Sequence, residues 1–235
     1  MKSTKEKIYH KLINNELRYN TKSIVRYGKN NNKNTNNTNT NKISQLKKLK
    51  SQINSIKNCD LKNNATNIVF ADGSPNSSIM IIGEGPGSNE DKEGKPFVGR
   101  AGKLLDKMLE AIKLNRKNVY ISNVVNFRPP MNRRPTDEEI KRYLPFLKKH
   151  IEIIDPKILL LLGSTALNAL IGNEVVISKA RGKWVSKKIG SASPEVIASF
   201  HPAFLMRQPN QKKYAWEDLK MIKKKMSELK IKFNG

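Results

Sequence analysis

The sequence predicts an α/β fold, a parallel sheet covered by helices on both faces. Three observations lead there. Short, almost wholly apolar runs recur at residues 79–82 (IMII), 158–162 (ILLLL) and 196–200 (VIASF), the pattern of strands buried on both faces. Between them lie longer stretches whose apolar residues fall three and four apart, the helical period. Glycine stands directly after the first two runs, and proline follows the third with one residue between, where the chain must turn. Strand–helix alternation of this kind folds into a three-layer α/β/α sandwich.

Taken in order, residues 1–26 show weak helical periodicity among charges, and residues 30–41 are almost entirely Asn, Thr and Lys. That tract has too little apolar surface to offset the entropy of ordering and reads as a disordered linker. Residues 42–57 carry Ile43, Leu46, Leu49 and Ile53 on one helical face. The expected organisation is a basic tail over residues 1–42 and one folded domain over residues 43–235. Within that domain residues 68–70, 79–82, 119–125, 158–162 and 196–200 are the strand candidates. Helices are expected over residues 102–112, 136–154, 164–170 and 211–230. Thr136, followed by Glu139 three residues on, is a capping-box start.

Composition bounds the partner. Lys and Arg number 45 against 20 acidic residues, a net charge of +25. The excess is not confined to the tail, since residues 1–62 hold 15 basic and 3 acidic side chains and a comparable surplus remains beyond them. Such a charge favours a polyanion, nucleic acid first. Cys59 is the only cysteine, which excludes an intramolecular disulfide and points to a reducing, cytoplasmic location. No apolar run reaches the ~20 residues of a membrane span, and the first 20 residues lack the apolar core of a signal peptide.

Three strand candidates end in polar residues with unusual neighbours: Glu84 in a Gly-Glu-Gly-Pro-Gly turn, Asn123 after the 119–122 run, and His201 before Pro202. Singly, each has a structural explanation, as a helix cap, a turn residue or a residue ahead of a proline. In a parallel sheet, however, all three strand ends share one edge, where open α/β sheets place their ligands. The glycine-rich turn lacks the lysine of a phosphate-binding P-loop.

Five segments, GEGPGSNED (83–91), KPFVGRAGKLLD (95–106), NVVNFRPPMNRRP (123–135), LLLLG (159–163) and HPAFLMR (201–207), together resemble the uracil-DNA glycosylase superfamily, family 4 in particular. The resemblance spans most of residues 59–220 and leaves the tail outside it. It implies an α/β/α sandwich around a mainly parallel four-stranded sheet. The implied activity is hydrolysis of the N-glycosidic bond of deoxyuridine in single- or double-stranded DNA, by a monomer.

The resemblance also implies roles. Phe97 would stack on the extruded uracil, Asn123 would read its carbonyl and ring N–H, and His201 would donate a hydrogen bond to O2 as the base leaves. Glu84 would orient the attacking water, with Gly85 helping to hold uracil or water. Glu90 and Asn132 would tie two loops together, while Leu205 and Arg207 occupy the positions of a wedge and a phosphate contact. A relative that bonds covalently to DNA does so through a histidine in a loop corresponding to residues 178–184. That stretch has no histidine here, so covalent capture is disfavoured and Arg181 and Lys183 are expected to meet phosphate.

Family 4 usually binds a [4Fe–4S] cluster through four cysteine thiolates. The matching positions here are Ile56, Cys59, Phe127 and Tyr143. With one cysteine of the four, the expectation is a cluster-free branch with no metal or other cofactor, and Cys59 as a buried structural thiol. Two further readings stay open from sequence: an inactive DNA-binding protein on the same fold, and a glycosylase for another deaminated base such as hypoxanthine.

Overall fold

The computed structural model describes residues 35–172 and 175–232; the expected tail, residues 1–34 in particular, lies outside them. The first described helix, α1 (Thr35–Asn54), begins seven residues before the point where the apolar periodicity starts. Extending a helix costs far less than nucleating one, so the polar 35–41 stretch can continue the helix that Leu46, Leu49 and Ile53 anchor in the core. Ile43 does not join them and is 41% exposed.

Two chain segments then lead into a six-stranded sheet, β1 (Asp72–Gly73), β2 (Ile79–Gly83), β3 (Tyr120–Asn123), β4 (Ile158–Leu162), β5 (Trp184–Ser186) and β6 (Glu195–Ser199). Its order is β1-β3-β2-β4-β6-β5. The central four, β3-β2-β4-β6, are parallel, and the two short edges pair antiparallel. The four-stranded parallel core follows the sequence, while the edge strands, two and three residues long, are too short to give a periodic signal. Residues 68–70 are not a strand. They are held by Asn126 and by Ser122, whose hydroxyl donates to the Phe70 carbonyl at 2.7 Å.

The period of two explains why these strands are apolar throughout. Met80, Ile82, Leu159, Leu161, Val196 and Ala198 face one core. Ile79, Ile81, Ile158, Leu160, Leu162 and Ile197 face the other. The first core is closed by α1, by α5 (Asp137–Ile154) and by α6 (Ser164–Leu170). The second is closed by α4 (Arg100–Ala111), by α8 (Pro202–Arg207) and by α9 (Lys212–Glu228). Three short helices complete the described chain: α2 (Asp60–Asn64), α3 (Ser88–Glu93) and α7 (Ile177–Ala180). Among the described residues no helix is long and apolar enough to cross a membrane.

One polar group sits deep in the first core. His150 stacks on Phe70 with ring centroids 4.5 Å apart, and its Nε2 lies 2.8 Å from the Tyr120 hydroxyl. Burial holds the imidazole well below its usual value, at about 3, and raises the Tyr120 phenol. Both groups are neutral, and one hydrogen bond joins them.

Parallel pairing puts the carboxyl ends of β2, β3, β4 and β6 on one edge. Gly83 pairs with Asn123, and Leu162 with Ser199. The chain leaves β2 for β3 on one side and returns to β4 on the other, so the sheet's order reverses there and opens a crevice at that edge.

Candidate active site

A pocket of about 190 Å³ occupies that crevice, lined among others by Glu84, Gly85, Glu90, Phe97, Asn123, Asn132 and His201. A water in the liquid takes about 30 Å³, so the space suits a small ring. The sequence separates these residues by more than a hundred positions; the strand ends bring them together.

Asn123 closes β3 and is 3% exposed. Its Oδ1 has no hydrogen-bond partner, the only such buried side-chain N or O atom among the described residues. A buried unpaired acceptor costs about 1–3 kcal/mol, which a ligand N–H would recover. Gly83, opposite it on β2, has to be glycine. A Cβ there would stand 2.5 Å from Asn123 Oδ1 and 2.5 Å from Phe97 Cζ.

Phe97 is buried at 5% exposure and holds a backbone φ of +55°, a conformation L residues rarely adopt. Two features hold it there. Arg116, anchored by Asp72 at 2.7 Å and Asp106 at 2.8 Å, donates to the Pro96 carbonyl at 3.0 Å and to the Phe97 carbonyl. Gly102 of α4 lets that helix close on the bend, because a Cβ would fall 1.7 Å from the Phe97 oxygen. The ring then stacks against His201, centroids 5.5 Å apart.

His201 caps α8, its Nδ1 accepting the Ala203 N–H at 3.2 Å. Burial first, and then the charge of Arg207, lower its pKa to about 4, with Glu90 pulling weakly the other way. The ring is neutral near pH 7. Since Nδ1 is an acceptor, the proton resides on Nε2, which is then a hydrogen-bond donor.

Glu84 lines the pocket just beyond β2, and the Thr165 hydroxyl of α6 donates to its Oε2. Neither Thr165 nor Arg116 was evident in the sequence. The sole hint of Thr165 is its place three residues past the β4 run, on the same sheet edge. Glu90 receives the Gly87 N–H at 3.1 Å on one carboxylate oxygen and the Gly99 N–H at 2.8 Å on the other, joining the glycine-rich turn to the Phe97 loop. Asn132 instead serves its own loop, accepting from Arg128 Nε at 2.8 Å.

The expected DNA contacts lie outside the pocket lining. Arg207 and Lys183 are exposed. Leu205 is 1% exposed and packs in the core with α4 and α9, which leaves it no means of wedging into DNA. Arg181 is committed inward: its guanidinium pairs with the fully buried Asp218, whose Oδ2 also accepts from Ser199 at 2.6 Å. Apolar packing and an internal ion pair, which motif spacing does not reveal, explain both departures.

A family model described as the uracil DNA glycosylase superfamily matches residues 70–220. The chain belongs to that superfamily. A Type-4 uracil-DNA glycosylase of Sulfurisphaera tokodaii is 42% identical over 186 residues, 77% of this chain and 84% of the relative. One of Thermotoga maritima is 43% identical over 171 residues, covering 70% and 86%. A third, from Archaeoglobus fulgidus, is 38% identical over 175 residues, covering 73% and 88%.

These matches correct one expectation. The relatives are of Type 4, the iron–sulfur type, so a separate cluster-free branch has no support, and the expectation of no cofactor falls with it. The residues at the four positions do not themselves supply a thiolate set. Cys59 is buried with its Sγ 3.3 Å from the Tyr143 hydroxyl, and Phe127 and Tyr143 belong to the same apolar core. One thiol does not fit four-thiolate ligation by this chain.

Proposed function

We propose that this member of the superfamily is a uracil-DNA glycosylase of base excision repair. It would act as a monomer in the cytoplasm, cleaving the N-glycosidic bond of deoxyuridine in single- or double-stranded DNA. The observation that carries the reading is the orphaned Asn123 Oδ1. Uracil offers a ring N–H and, beside it, a carbonyl; the Asn123 amide offers an acceptor and a donor. Cytosine presents the reverse pattern and would leave both amide groups unpaired in a buried site, the kind of mismatch that gives strong discrimination. The Type-4 names of the relatives support the same substrate.

The flipped base stacks on Phe97, a contact that adds affinity without reading sequence. As the C1′–N1 bond breaks, its electron pair passes to the base and negative charge gathers on uracil O2. The neutral His201 donates from Nε2 to that oxygen, a preorganised dipole in a site shielded from water. Thr165 fixes one carboxylate oxygen of Glu84, and the other holds the water that adds to C1′. The carboxylate charge also stabilises the cationic, oxocarbenium-like sugar. The water adds to C1′ and gives up one proton to solvent, the departing uracil anion takes one up at N1, and free uracil and an abasic site remain. Gly85 lets backbone approach the base and water, while Glu90 and Asn132 keep the surrounding loops in shape. Arg207 and Lys183 meet phosphate, and the basic residues ahead of α1 add nonspecific, salt-sensitive affinity.

The reading is tested by incubating the purified protein with a labelled oligonucleotide containing one deoxyuridine, single-stranded and duplex, followed by hot alkali. Cleavage at the uracil position is the expected result. Tight DNA binding with both forms left intact overturns the reading and favours the inactive DNA-binding alternative.

A further inference from the structure

Met131 is 88% exposed, the most exposed large apolar side chain among the described residues. It stands on the rim of the pocket, whose wall includes Pro129, Asn132, Arg133 and Pro135 from the same loop. Its backbone is held at φ +53°, and Asn132 beside it at φ +57°. Two successive non-glycine residues in the left-handed region are costly, and the loop is built to keep them there. Pro129 and Pro130 restrict the entry, and the Asn132 and Arg133 N–H groups bond back to the Pro129 and Pro130 carbonyls at 3.1 and 3.0 Å. Arg128 braces Asn132, and Arg133 pairs with Glu139 through two bonds of 2.8 and 2.6 Å. The result is a rigid loop that presents an apolar tip to solvent.

The surroundings identify what that tip meets. Arg128, Arg133 and Arg134 flank it on a chain of net charge +25. A partner that is apolar at its centre and anionic around it is a stack of bases between two phosphate strands. From the Proposed function it follows that a nucleotide leaves the duplex to enter the adjoining pocket, and a gap in the stack opens beside the loop. Leu205, which motif position put forward for that gap, is locked in the core. We infer that Met131 is the wedge: it inserts into the duplex at the step vacated by the flipped deoxyuridine and holds the base out. Methionine suits the task, being unbranched, flexible and polarisable, and it is among the apolar side chains proteins push between base steps.

The test compares wild type, Met131→Ala and Met131→Leu on deoxyuridine in single-stranded, U·G and U·A oligonucleotides under single-turnover conditions. A single strand has no stack to hold open. Met131→Ala is therefore expected to lose about tenfold or more on the duplexes and to stay within about twofold of wild type on single strands. Met131→Leu should keep most duplex activity. Equal losses on both forms, or none on either, overturn the wedge. Wild-type protein inactive on single strands and duplexes alike would instead count against the uracil reading. A second measurement is independent of catalysis: 2-aminopurine in a duplex, next to a 2′-fluoro deoxyuridine whose glycosidic bond resists cleavage because the fluorine disfavours the cationic sugar, should brighten on binding wild type and brighten much less with Met131→Ala. An equal rise with both proteins also overturns it. Met131 is on the surface, so thermal melting of the variants should match wild type.

Discussion

Replacing His201 with alanine is expected to lower the single-turnover rate of uracil release by about 10²–10³-fold, the usual cost of removing one preorganised donor to developing negative charge. The loss should fall on the rate constant rather than on substrate affinity, since the bond to O2 strengthens only as charge builds. His201→Gln, which keeps an N–H donor, should recover part of it. The pH behaviour has a definite sign. Burial and the Arg207 charge depress the ring's pKa to about 4, so the neutral, Nε2-protonated form prevails above that value. Between pH 5 and 8 His201 should contribute no change in rate. Below about pH 4 the imidazolium carries a proton on Nδ1 that faces the Ala203 N–H, and the bond that orients the ring is lost. An NMR titration of the ring should give a midpoint near 4; a midpoint near 6.5, or a rate loss under about fivefold for His201→Ala, contradicts the assignment.

Gly83→Ala is the second large effect. The added methyl stands 2.5 Å from the Asn123 carbonyl oxygen on one side and from the Phe97 ring on the other. Neither can yield freely. Asn123 closes a strand paired to Gly83 itself, and the Phe97 backbone is held by Arg116 and by α4 at Gly102. Overpacking of this kind costs about 1–3 kcal/mol of stability, a melting temperature several degrees lower. Activity should fall much further, by about 10²-fold, because an ångström-scale displacement of two base-binding groups is enough for that. A variant that melts like wild type and cleaves at the wild-type rate would show that Asn123 and Phe97 are not set as described.

The parts of this architecture legible in the sequence were those with a one-dimensional signature. β2, β4 and β6 lie between two cores, so nearly every residue is apolar and the runs stand out. The Glu84 turn, Asn123 and His201 stood out because glycine, proline or a change of polarity marks each strand end. What escaped notice depends on contacts between distant positions. Thr165 reaches Glu84 across 81 residues, and Arg116 acts on backbone carbonyls, to which any side chain is invisible in sequence. Leu205 and Arg181 occupy motif positions that imply DNA contact, yet burial and the Asp218 partner decide their roles. Met131 offered the opposite lesson. Within an arginine- and proline-rich loop it looked unremarkable, and only its exposure on a left-handed backbone beside the pocket distinguishes it. The missing cysteines do not set the chain apart, since a residue count cannot separate a branch of a family from the Type-4 relatives that this chain matches.

The central claim is that the pocket reads uracil through the Asn123 amide. The most direct measurement is to identify by mass spectrometry the base released from matched oligonucleotides containing deoxyuridine, deoxycytidine, thymidine or deoxyinosine. Free uracil from the first, with no release from the others above background, is the predicted result. Release of cytosine at a rate comparable to uracil, or of hypoxanthine in preference to it, would contradict the account.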